Sequence, residues 1–600
     1  MTDDVQARLL EHAARDAGAP FLLAPGCAPA SYGSLAAHIA QVRERFAEWG
    51  IARGDIVVAP AFDRALASML FASVPAAATI ALVSEALAAD ACSELVGRMR
   101  ARAVIVPAGR HHALALAARA SGVARIEVEV GGDEAGGYRL ELADAGRTLD
   151  GSPPLHPPSW AYVGVTSGTT DRPKLVPYGH RSLVRVCDAM GRILGVTRAD
   201  TSGLVTPIHL ANGQRTVLLL PAMHGGSVLC LPDAGLDALI DAIRRDALTY
   251  VSASFTILRG LLERVGPQGT VRSSRLRFLR VASGSLAPHE IEALERAFGV
   301  PVVTGLATTE TGVVTHQALP PAPRAAGGVG WPLVGDVRLA DPAGREVPPG
   351  EIGEVQVRGP QVFDGYLDDD ELDARSRVDG WFRLGDLARV DASGELFLVG
   401  RAREVVNRGG DKISPLEVDA ALRLIPGIVD AAAFGVPHPT LGQEIVAAVV
   451  LAPDARLTEG AVAALARDRL GVRRAPRRIW FVDALPRNEA GKVMRLSLPA
   501  AVGFEALESA QDDDPDHAGR TSPLEAALAG LWCDVLEVAS VRPGDAFRSL
   551  GGDDARAARM LDQVHAVFGV ELPPAAIDGA SGTLAGMAGM IEQARHRTRS

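Results

Sequence analysis

Apolar side chains alternate between helical and strand-like spacing through the N-terminal half of the chain. Residues 34–49 carry them on one helix face, whereas residues 56–61 form a continuous apolar run that is typical of a buried strand. The alternation continues from 201 to 315, where residues 203–210 are one of the predicted strands. Because such alternation builds crossover units, it predicts an α/β fold with parallel sheets.

The pattern changes twice towards the C-terminus. Residues 335–400 hold short alternating strands separated by turns, which predicts a small antiparallel sheet or barrel. Beyond Arg401 the order of helices and strands predicts a compact α+β unit, and three helical segments follow an acidic stretch that has no periodic apolar face. We therefore predict four regions: an N-terminal core at 1–400, a smaller domain at 401–503, a linker at 504–522 and a helical bundle at 523–600.

Composition excludes several classes of function. The 600 residues include 61 basic and 72 acidic ones, a net charge of −11, without a strongly basic stretch, so nucleic-acid binding is not expected. No apolar run approaches the ~18 residues of a membrane span, and the acidic N-terminus is unlike a signal peptide. The five cysteines form no CxxC pair, which indicates a reducing cytoplasm and gives no sign of a disulfide or zinc site.

Lysine is rare in this chain. Only Lys174, Lys412 and Lys492 occur among the 61 basic residues. Arginine presents a wide planar fork, whereas lysine is a compact point charge on a flexible stem. The three lysines are therefore candidates for positions where arginine cannot substitute, and codon bias combined with chance is the alternative explanation.

A strand runs into a loop rich in serine, threonine and glycine at residues 163–177, and the loop ends at Lys174. Hydroxyl and backbone N–H groups can donate into such a concavity, glycine permits unusual dihedral angles, and the ammonium neutralises charge. This combination predicts a phosphate cradle, although the same composition also suits a polar surface turn. The spacing differs from that of the GxxxxGK(S/T) loop.

Five segments together resemble the adenylate-forming superfamily, which includes acyl-CoA synthetases, the adenylation domains of nonribosomal peptide synthetases, and luciferases. The segment TSGTTDRPK at 166–174 resembles the family's (S/T)SGTTGxPK loop. The other four follow in the family's order: 308–312 (TTETG), 380–386 (GWFRLGD), 400–419 and 486–495 (PRNEAGKVMR). The resemblance extends from about Tyr32 to about Arg495. It implies a large α/β domain with a small β-barrel, followed by a small mobile α+β domain.

The resemblance also implies an ATP site with magnesium. The loop would hold the β- and γ-phosphates through Thr166, Ser167, Gly168, Thr169, Thr170 and Lys174. Thr309 would bond the α-phosphate, and Glu310 would hold Mg²⁺, a cation that prefers oxygen ligands.

The same family pattern assigns the nucleoside. Asp386 would accept hydrogen bonds from the ribose hydroxyls, with Arg401 nearby. Leu306 stands where the family usually has an aromatic residue, and it would pack on the adenine ring. The rest of the adenine pocket would be formed by Ser283, Gly284 and Ser285.

The implied reaction is attack of a carboxylate on the α-phosphate of ATP, which yields an acyl adenylate and pyrophosphate. Two anions must meet, so catalysis depends on positioning and charge neutralisation. Lys492 would contact both anions. The smaller domain would then turn about a hinge at Arg403 to build a thiol-transfer site, in which Gly409 and Gly410 line a tunnel for a pantetheine arm. Lys412, in the same loop, has either a surface role or a role in transfer.

The acyl pocket is predicted from residues 206–226, which resemble the PxxHxxG segment of acyl-CoA and aryl-CoA ligases. The aspartate with which amino-acid-activating members pair the substrate ammonium is missing, and an unpaired buried ammonium would be costly. An acid without an α-amino group is therefore favoured. His209 would be a gate or pocket residue, or it merely caps a strand end. Near the acyl group would lie Asn212, Gly213 and Gln214, and Gln214 with Arg215 indicates a small polar acid.

Residues 544–561 resemble the FxxLGGDS segment of a carrier-protein domain, but Asp554 stands at the serine to which phosphopantetheine is attached. A carboxylate cannot form that phosphodiester, so we predict an unmodified carrier, and Asp554 could act simply as a helix N-cap. The leading hypothesis is therefore transfer of the acyl group to a pantetheine thiol on CoA or on another carrier. The alternatives are transfer to an amine or another nucleophile, and a non-catalytic interaction protein.

The three lysines yield a test. Lys174→Arg and Lys492→Arg should both impair adenylate formation, because a point charge must reach crowded anions. Lys412→Arg should spare this step and affect at most the transfer. Acid-dependent exchange of pyrophosphate into ATP measures it, and Lys492→Ala should lower the rate about 10²-fold or more. Near-normal exchange in Lys492→Ala would remove the lysine from the mechanism.

Overall fold

The computed structural model describes residues 3–166, 172–231, 235–488, 491–504, 523–536, 538, 541–578 and 582–597. Contacts divide the chain into two units: Met1–Ala402 with Arg487–Lys492, and Arg403–Pro486 with Val493–Ser600. The first boundary falls at the predicted hinge residue, Arg403, although the hinge motion itself stays a prediction.

Two seven-stranded sheets lie at the centre of the larger unit, counted over its described residues. The first contains, in spatial order, Tyr138–Asp144, Ala124–Val130, Ala103–Pro107, Ile56–Pro60, Thr79–Val83, Trp160–Thr166 and Lys174–Gly179. Its five inner strands run parallel and its two edge strands are antiparallel to their neighbours. The three central strands, Ala103–Pro107, Ile56–Pro60 and Thr79–Val83, are wholly buried, as parallel strands covered on both faces must be.

The second sheet is also mainly parallel. Its described strands, in spatial order, are Val302–Val303, Phe278–Ala282, Tyr250–Ser254, Thr201–Leu204, Ser227–Cys230, Pro20–Leu23 and Ala30–Ser31. Only the last strand is antiparallel to its neighbour. The predicted parallel α/β architecture is confirmed. Because parallel strands end at one edge of a sheet, the loops after Leu204, Ser254 and Ala282 lie together.

Helices cover these sheets with the predicted periodicity. Leu35, Ile39, Val42 and Phe46 form the buried stripe of one of them, at helical spacing. The longer described helices of this unit are Val5–Arg15, Tyr32–Glu48, Arg64–Ser73, Ala89–Arg98, Ala113–Ser121, His180–Leu194, Leu236–Arg244, Phe255–Val265 and Pro288–Phe298. The shorter ones are Val74–Ala76, Leu220–Ala222 and Asp370–Arg375.

The strand predicted at 203–210 is wrong beyond Leu204. The strand Thr201–Leu204 ends there, and the chain continues through Pro207 into a π-helix, Gly213–Leu219. Val205 and Ile208 are buried although they pair with no strand, so burial alone explains the apolar run. Proline lacks the N–H that a central strand would need. Single π-helical turns occur mostly at functional sites.

Two small antiparallel sheets complete the described part of the larger unit, and the pattern at 335–400 predicts the second of them. One consists of Gly305–Thr308, Gly312–His316 and Trp331–Pro332. The described strands of the other are Asp336–Ala340, Gly353–Arg358, Arg377–Val378, Trp381–Val390 and Leu396–Arg401.

The smaller unit is α+β at its N-terminal end and helical at its C-terminal end. Its described strands are Val406–Arg408, Asp411–Ile413, Ile428–His438, Gly442–Leu451 and Ile479–Phe481. Its helices, over the same described residues, are Pro415–Arg423, Glu459–Leu470, Arg495–Ser497, Leu498–Ala501, Pro523–Leu536, Asp554–Phe568, Pro574–Ile577 and Leu584–Arg597. The last four pack around Trp532 and Phe547, whose ring centroids are 5.0 Å apart. Among the described residues, no helix of either unit is long and apolar enough to cross a membrane.

Candidate active site

The predicted phosphate loop connects two antiparallel strands of the first sheet. Thr166 ends one strand and pairs in register with Lys174, which begins the next. This pairing holds both ends of the loop side by side. The other predicted loop residues, Ser167, Gly168, Thr169 and Thr170, lie outside the described residues, so their roles remain predictions.

Lys174 belongs to a chain of three polar groups. Its ammonium donates to the hydroxyl of Tyr366 at 3.4 Å, and this hydroxyl donates to Oε1 of Glu310 at 2.8 Å. The ammonium lies 4.0 Å from the same carboxylate oxygen and 4.9 Å from the centre of the tyrosine ring. Burial and the neighbouring Glu310 raise the pKa of Tyr366 above its ordinary value, so its hydroxyl stays a donor. Tyr366 was not predicted, since no local pattern links it to residues so far away in the sequence.

Glu310 fits the role of a magnesium ligand. Its side chain is 14% exposed, so the carboxylate is sheltered but still reachable. Among the described residues no group of three or more His, Cys, Asp or Glu side chains could hold a metal by itself. A metal at Glu310 would therefore take its other ligands from phosphate oxygens and water, which is how Mg²⁺ is usually held at nucleotide sites.

Arg215 fixes the segment that carries Thr309 and Glu310. Its Nη1 donates to the carbonyl oxygen of Thr308 at 3.0 Å and its Nη2 to that of Thr309 at 2.6 Å. Its Nε donates to the hydroxyl of Tyr162. The guanidinium is buried and lies 4.0 Å from the centre of the Tyr178 ring, a distance typical of a cation–π interaction. The sequence associated Arg215 with substrate polarity, whereas its three donors all serve these protein groups.

The residues predicted for adenine occupy two adjoining segments. Leu306 is buried in the strand that leads to Thr309. Ser283 has a positive φ of 61°, which is uncommon for a residue with a side chain and occurs often at functional sites. Gly284 has no space for a Cβ, because one would collide with the ring of Phe255. Ser283 and Gly284, with the exposed Ser285, form the loop at the carboxyl end of the strand Phe278–Ala282.

The predicted ribose site is an ion pair across two strands. Asp386 and Arg401 are register partners, and the Nε of Arg401 lies 3.1 Å from a carboxylate oxygen of Asp386. Arg401 also donates to the carbonyl of Leu384 at 3.0 Å. The carboxylate is thereby held in one orientation at the edge of the barrel-like sheet. Its binding to ribose remains a proposal.

The predicted acyl-pocket residues come together at the π-helix. Gly213 cannot carry a Cβ, which would lie 2.7 Å from the carbonyl oxygen of Pro207. Gln214 is buried and donates to the carbonyl of the half-buried His209 at 3.3 Å. The amide of Asn212 donates to the carbonyl of Ser252 at 3.2 Å. These contacts place the four residues side by side but do not decide between a gate and a structural role for His209.

Lys492 is exposed and belongs, by its contacts, to the larger unit. Its backbone N–H donates to Oδ1 of Asn488 at 3.0 Å, and the hydroxyl of Thr256 donates to the carbonyl of Gly491 at 3.4 Å. Thr256 follows Phe255, whose ring abuts Gly284. The lysine loop therefore lies beside the predicted adenine segment.

Residues assigned to thiol transfer lie in the smaller unit. Gly409 and Gly410 form the two-residue turn of a hairpin and have φ values of 58° and 99°. Turns of this kind require positive φ at both positions, so the hairpin alone explains these glycines and their tunnel role remains a prediction. Arg403 and Lys412 are both exposed, and the geometry leaves the two roles of Lys412 open.

Asp554 begins the second helix of the carrier-like bundle. The residue that caps this helix is Asp553, whose carboxylate accepts from the backbone N–H of Arg556 at 2.7 Å. The suggestion that Asp554 is the N-cap is therefore wrong. Its side chain is 94% exposed and pairs with Arg548 at 2.8 Å, on the surface where a carrier would present its arm.

Comparison with protein families covers most of the chain. The family model described as AMP-binding enzyme matches residues 9–367, and that of the AMP-binding enzyme C-terminal domain matches residues 417–492. The model described as phosphopantetheine attachment site matches residues 526–591. All three matches agree with the order of motifs in the sequence.

Individual relatives agree with these matches. The chain is 34% identical to an oxalate–CoA ligase of Arabidopsis thaliana over 59% of this chain and 70% of that protein. It is 35% identical to a sulfoacetate–CoA ligase of Cupriavidus necator over 58% of this chain and 69% of that protein. Among solved structures, ATP-bound MatB from Rhodopseudomonas palustris superimposes with a TM-score of 0.74 at 25% identity, over 84% of this chain and 100% of MatB.

The polar chain at Lys174 yields a prediction. Tyr366→Phe removes the hydroxyl that contacts both Lys174 and Glu310, and hydrogen bonds to charged groups contribute about 1.5–3 kcal/mol. We expect kcat/KM for magnesium-bound ATP to fall about 10-fold or more in pyrophosphate exchange. Tyr138→Phe is the matched control, since that buried hydroxyl bonds to Ser73 at 2.7 Å, outside the site. An equal effect of both changes would argue against a specific role of Tyr366.

Proposed function

The chain belongs to the AMP-binding enzyme family and is an AMP-forming carboxylate ligase, and we propose that it converts a small carboxylic acid into a thioester through an acyl adenylate. The observation that carries the first step is the chain from Lys174 through Tyr366 to Glu310. It brings an ammonium and a carboxylate together at Lys174, where the Ser/Thr/Gly segment of the sequence ends, and an anionic phosphate chain and its metal would both find partners there.

In the first step, an oxygen of the substrate carboxylate attacks the α-phosphorus of ATP. The bond from this phosphorus to the oxygen that bridges to the β-phosphate breaks, and pyrophosphate leaves. Lys174 binds the phosphates that leave, and Lys492 neutralises the carboxylate and the α-phosphate as they approach. Thr309 holds the α-phosphate. Its position is fixed because Arg215 donates to the carbonyl oxygens of Thr308 and Thr309. A magnesium ion, when bound at Glu310, supplies further charge neutralisation at the phosphate oxygens.

In the second step, a pantetheine thiol loses its proton and attacks the acyl carbonyl, and AMP leaves with the electrons of the mixed anhydride bond. We propose CoA, or a carrier on another chain, as the acceptor. The chain's own carrier-like domain lacks the hydroxyl that would bear the arm, since Asp554 occupies that position. The relatives named as CoA ligases support the thiol.

A small acid is the proposed substrate. Oxalate and sulfoacetate, for which two relatives are named, are both small acids with a second acidic group. The pocket residues Asn212 and Gln214 are polar and largely enclosed. Three buried free cysteines, Cys92, Cys187 and Cys230, are compatible with the reducing cytoplasm that we propose as its location. The boundaries at 400, 503 and 522 remain proposals for the limits of the domains.

Pyrophosphate exchange tests the first step. A panel of amino, aryl, keto and short-chain acids is assayed with ATP and magnesium, and exchange is expected with a small acid that lacks an α-amino group. Adding CoA should then yield a thioester, detected by mass. Exchange without thioester, but with amide formation from an added amine, would favour the alternative acceptor. No exchange with any acid would contradict the adenylation proposal.

The carrier-like domain has its own test. After incubation with CoA and a phosphopantetheinyl transferase, the intact mass of the full chain should not change, because a carboxylate cannot take the phosphodiester. Asp554→Ser should gain the mass of one phosphopantetheine group, since Asp553 still caps the helix and the bundle core does not involve residue 554. Modification of the unchanged chain would refute the proposal, and an unmodified Asp554→Ser would show that the loop has lost recognition as well.

A further inference from the structure

Arg280 is a buried cation with neutral partners. It lies in the strand Phe278–Ala282 and is 2% exposed. Its Nε donates to Nε2 of His316 at 3.0 Å, and its Nη1 donates to Oδ1 of Asn212 at 3.2 Å and to the hydroxyl oxygen of Ser252 at 3.1 Å. A guanidinium has five N–H donors. The three on Nε and Nη1 are used in these bonds, and the two on Nη2 have no acceptor among the described residues.

The partners of Arg280 carry no negative charge. Burial and the nearby guanidinium together lower the pKa of His316 to about 3, so this imidazole is neutral and its Nε2 can accept. Its other nitrogen, Nδ1, then donates to the carbonyl of Gln317 at 2.6 Å. No carboxylate of the described residues forms a salt bridge with Arg280. Burial lowers its pKa to about 10, which leaves it charged at neutral pH.

A buried charge without a counter-ion is energetically costly. An anion bound beside Arg280 would offset this cost, and two donors on one nitrogen that have no acceptor among the described residues suit an oxygen anion. Arg215 is the counterexample in the same unit, since each of its nitrogens donates to a protein oxygen.

The position of Arg280 relates it to the acyl pocket. It shares Asn212 with that pocket and lies three residues before Ser283, which at about 3.3 Å per strand residue is about 10 Å deeper in the sheet. The reacting carboxylate must lie near Thr309 and the α-phosphate. A group at the far end of a short acid would therefore point towards the floor that Arg280 and Asn212 form.

We propose that Arg280 binds a second anionic group, carboxylate or sulfonate, at the far end of the substrate acid, and that it selects short doubly anionic acids over singly anionic ones. This inference rests on the proposed adenylation. A bound acid that lacks the second anion would leave the guanidinium buried and unpaired, and such omissions are rejected strongly.

The wild-type chain is tested first, by pyrophosphate exchange with pairs of acids of similar length: oxalate with acetate, malonate with propanoate, and succinate with butyrate, with sulfoacetate added as a sulfonate. In at least one pair the doubly anionic acid should have a kcat/KM about 10²-fold higher. Exchange only with singly anionic acids would overturn this inference and leave the proposed function intact. No exchange with any acid would overturn both.

Arg280→Met, which keeps length but removes charge, should then lower kcat/KM for the doubly anionic acid about 10²-fold, mainly through KM, and spare the singly anionic partner. Arg280→Lys should retain part of the preference. Arg264→Met is the matched control, since that arginine is 56% exposed and pairs with Asp237. Equal losses for both acids in Arg280→Met would assign Arg280 a structural role and refute the inference. A similar Tm for all variants guards against misfolding.

Discussion

The guanidinium of Arg215 connects three layers of the larger unit, and the geometry of the site depends on it. It extends from the π-helix that follows the strand Thr201–Leu204 of the second sheet, donates to the hydroxyl of Tyr162 in the first sheet, and donates to the carbonyls of Thr308 and Thr309. Buried hydrogen bonds from a charged donor contribute about 1.5–3 kcal/mol each, and the ring of Tyr178 adds a cation–π contact at 4.0 Å. A rearrangement of any layer would break several of these bonds together. The segment that carries Glu310 is therefore held before any nucleotide arrives, which is the preorganisation that electrostatic catalysis needs.

Two buried arginines of the larger unit differ in how many nitrogens of the guanidinium donate to described protein groups. The N–H groups of Arg215 donate to protein oxygens, so its charge stabilises the fold around Thr308 and Thr309. Arg280 has neutral partners and two donors left over among the described residues, and its charge lowers the pKa of His316 further. In a low-dielectric setting such an imbalance is costly unless a ligand removes it. The proposal about the substrate therefore rests on Arg280 and not on Arg215, although only Arg215 was singled out from the sequence.

The spacing of apolar residues predicted those helices and strands whose form depends on neighbouring residues alone. The helix predicted at 34–49 and the strand predicted at 56–61 agree with Tyr32–Glu48 and Ile56–Pro60 within about two residues, because side-chain periodicity follows directly from backbone geometry. The strand predicted at 203–210 was wrong beyond Leu204, since a buried apolar run looks the same whether or not it joins a sheet. Tyr366 and Arg280 could not be predicted, because their partners are distant in sequence and neither lies in a motif. A family motif can identify a site residue only where the role belongs to a fixed position within the motif, as at Lys174.

The contacts of Lys174 give a physical reason why this position has a lysine in a chain whose basic residues are mostly arginine. The ammonium of Lys174 lies 4.9 Å from the centre of the Tyr366 ring and 4.0 Å from the carboxylate of Glu310, and Lys174 pairs in register with Thr166. A guanidinium there would present a wider, planar group whose fork matches two parallel acceptors, whereas the ammonium donates to the hydroxyl of Tyr366 and lies 4.0 Å from one carboxylate oxygen of Glu310. Arginine is used where several acceptors are arrayed around one buried group, as at Arg215. The choice between the two cations therefore follows the number and arrangement of the acceptors, and the same criterion leaves Lys412, exposed on its hairpin, without a comparable constraint.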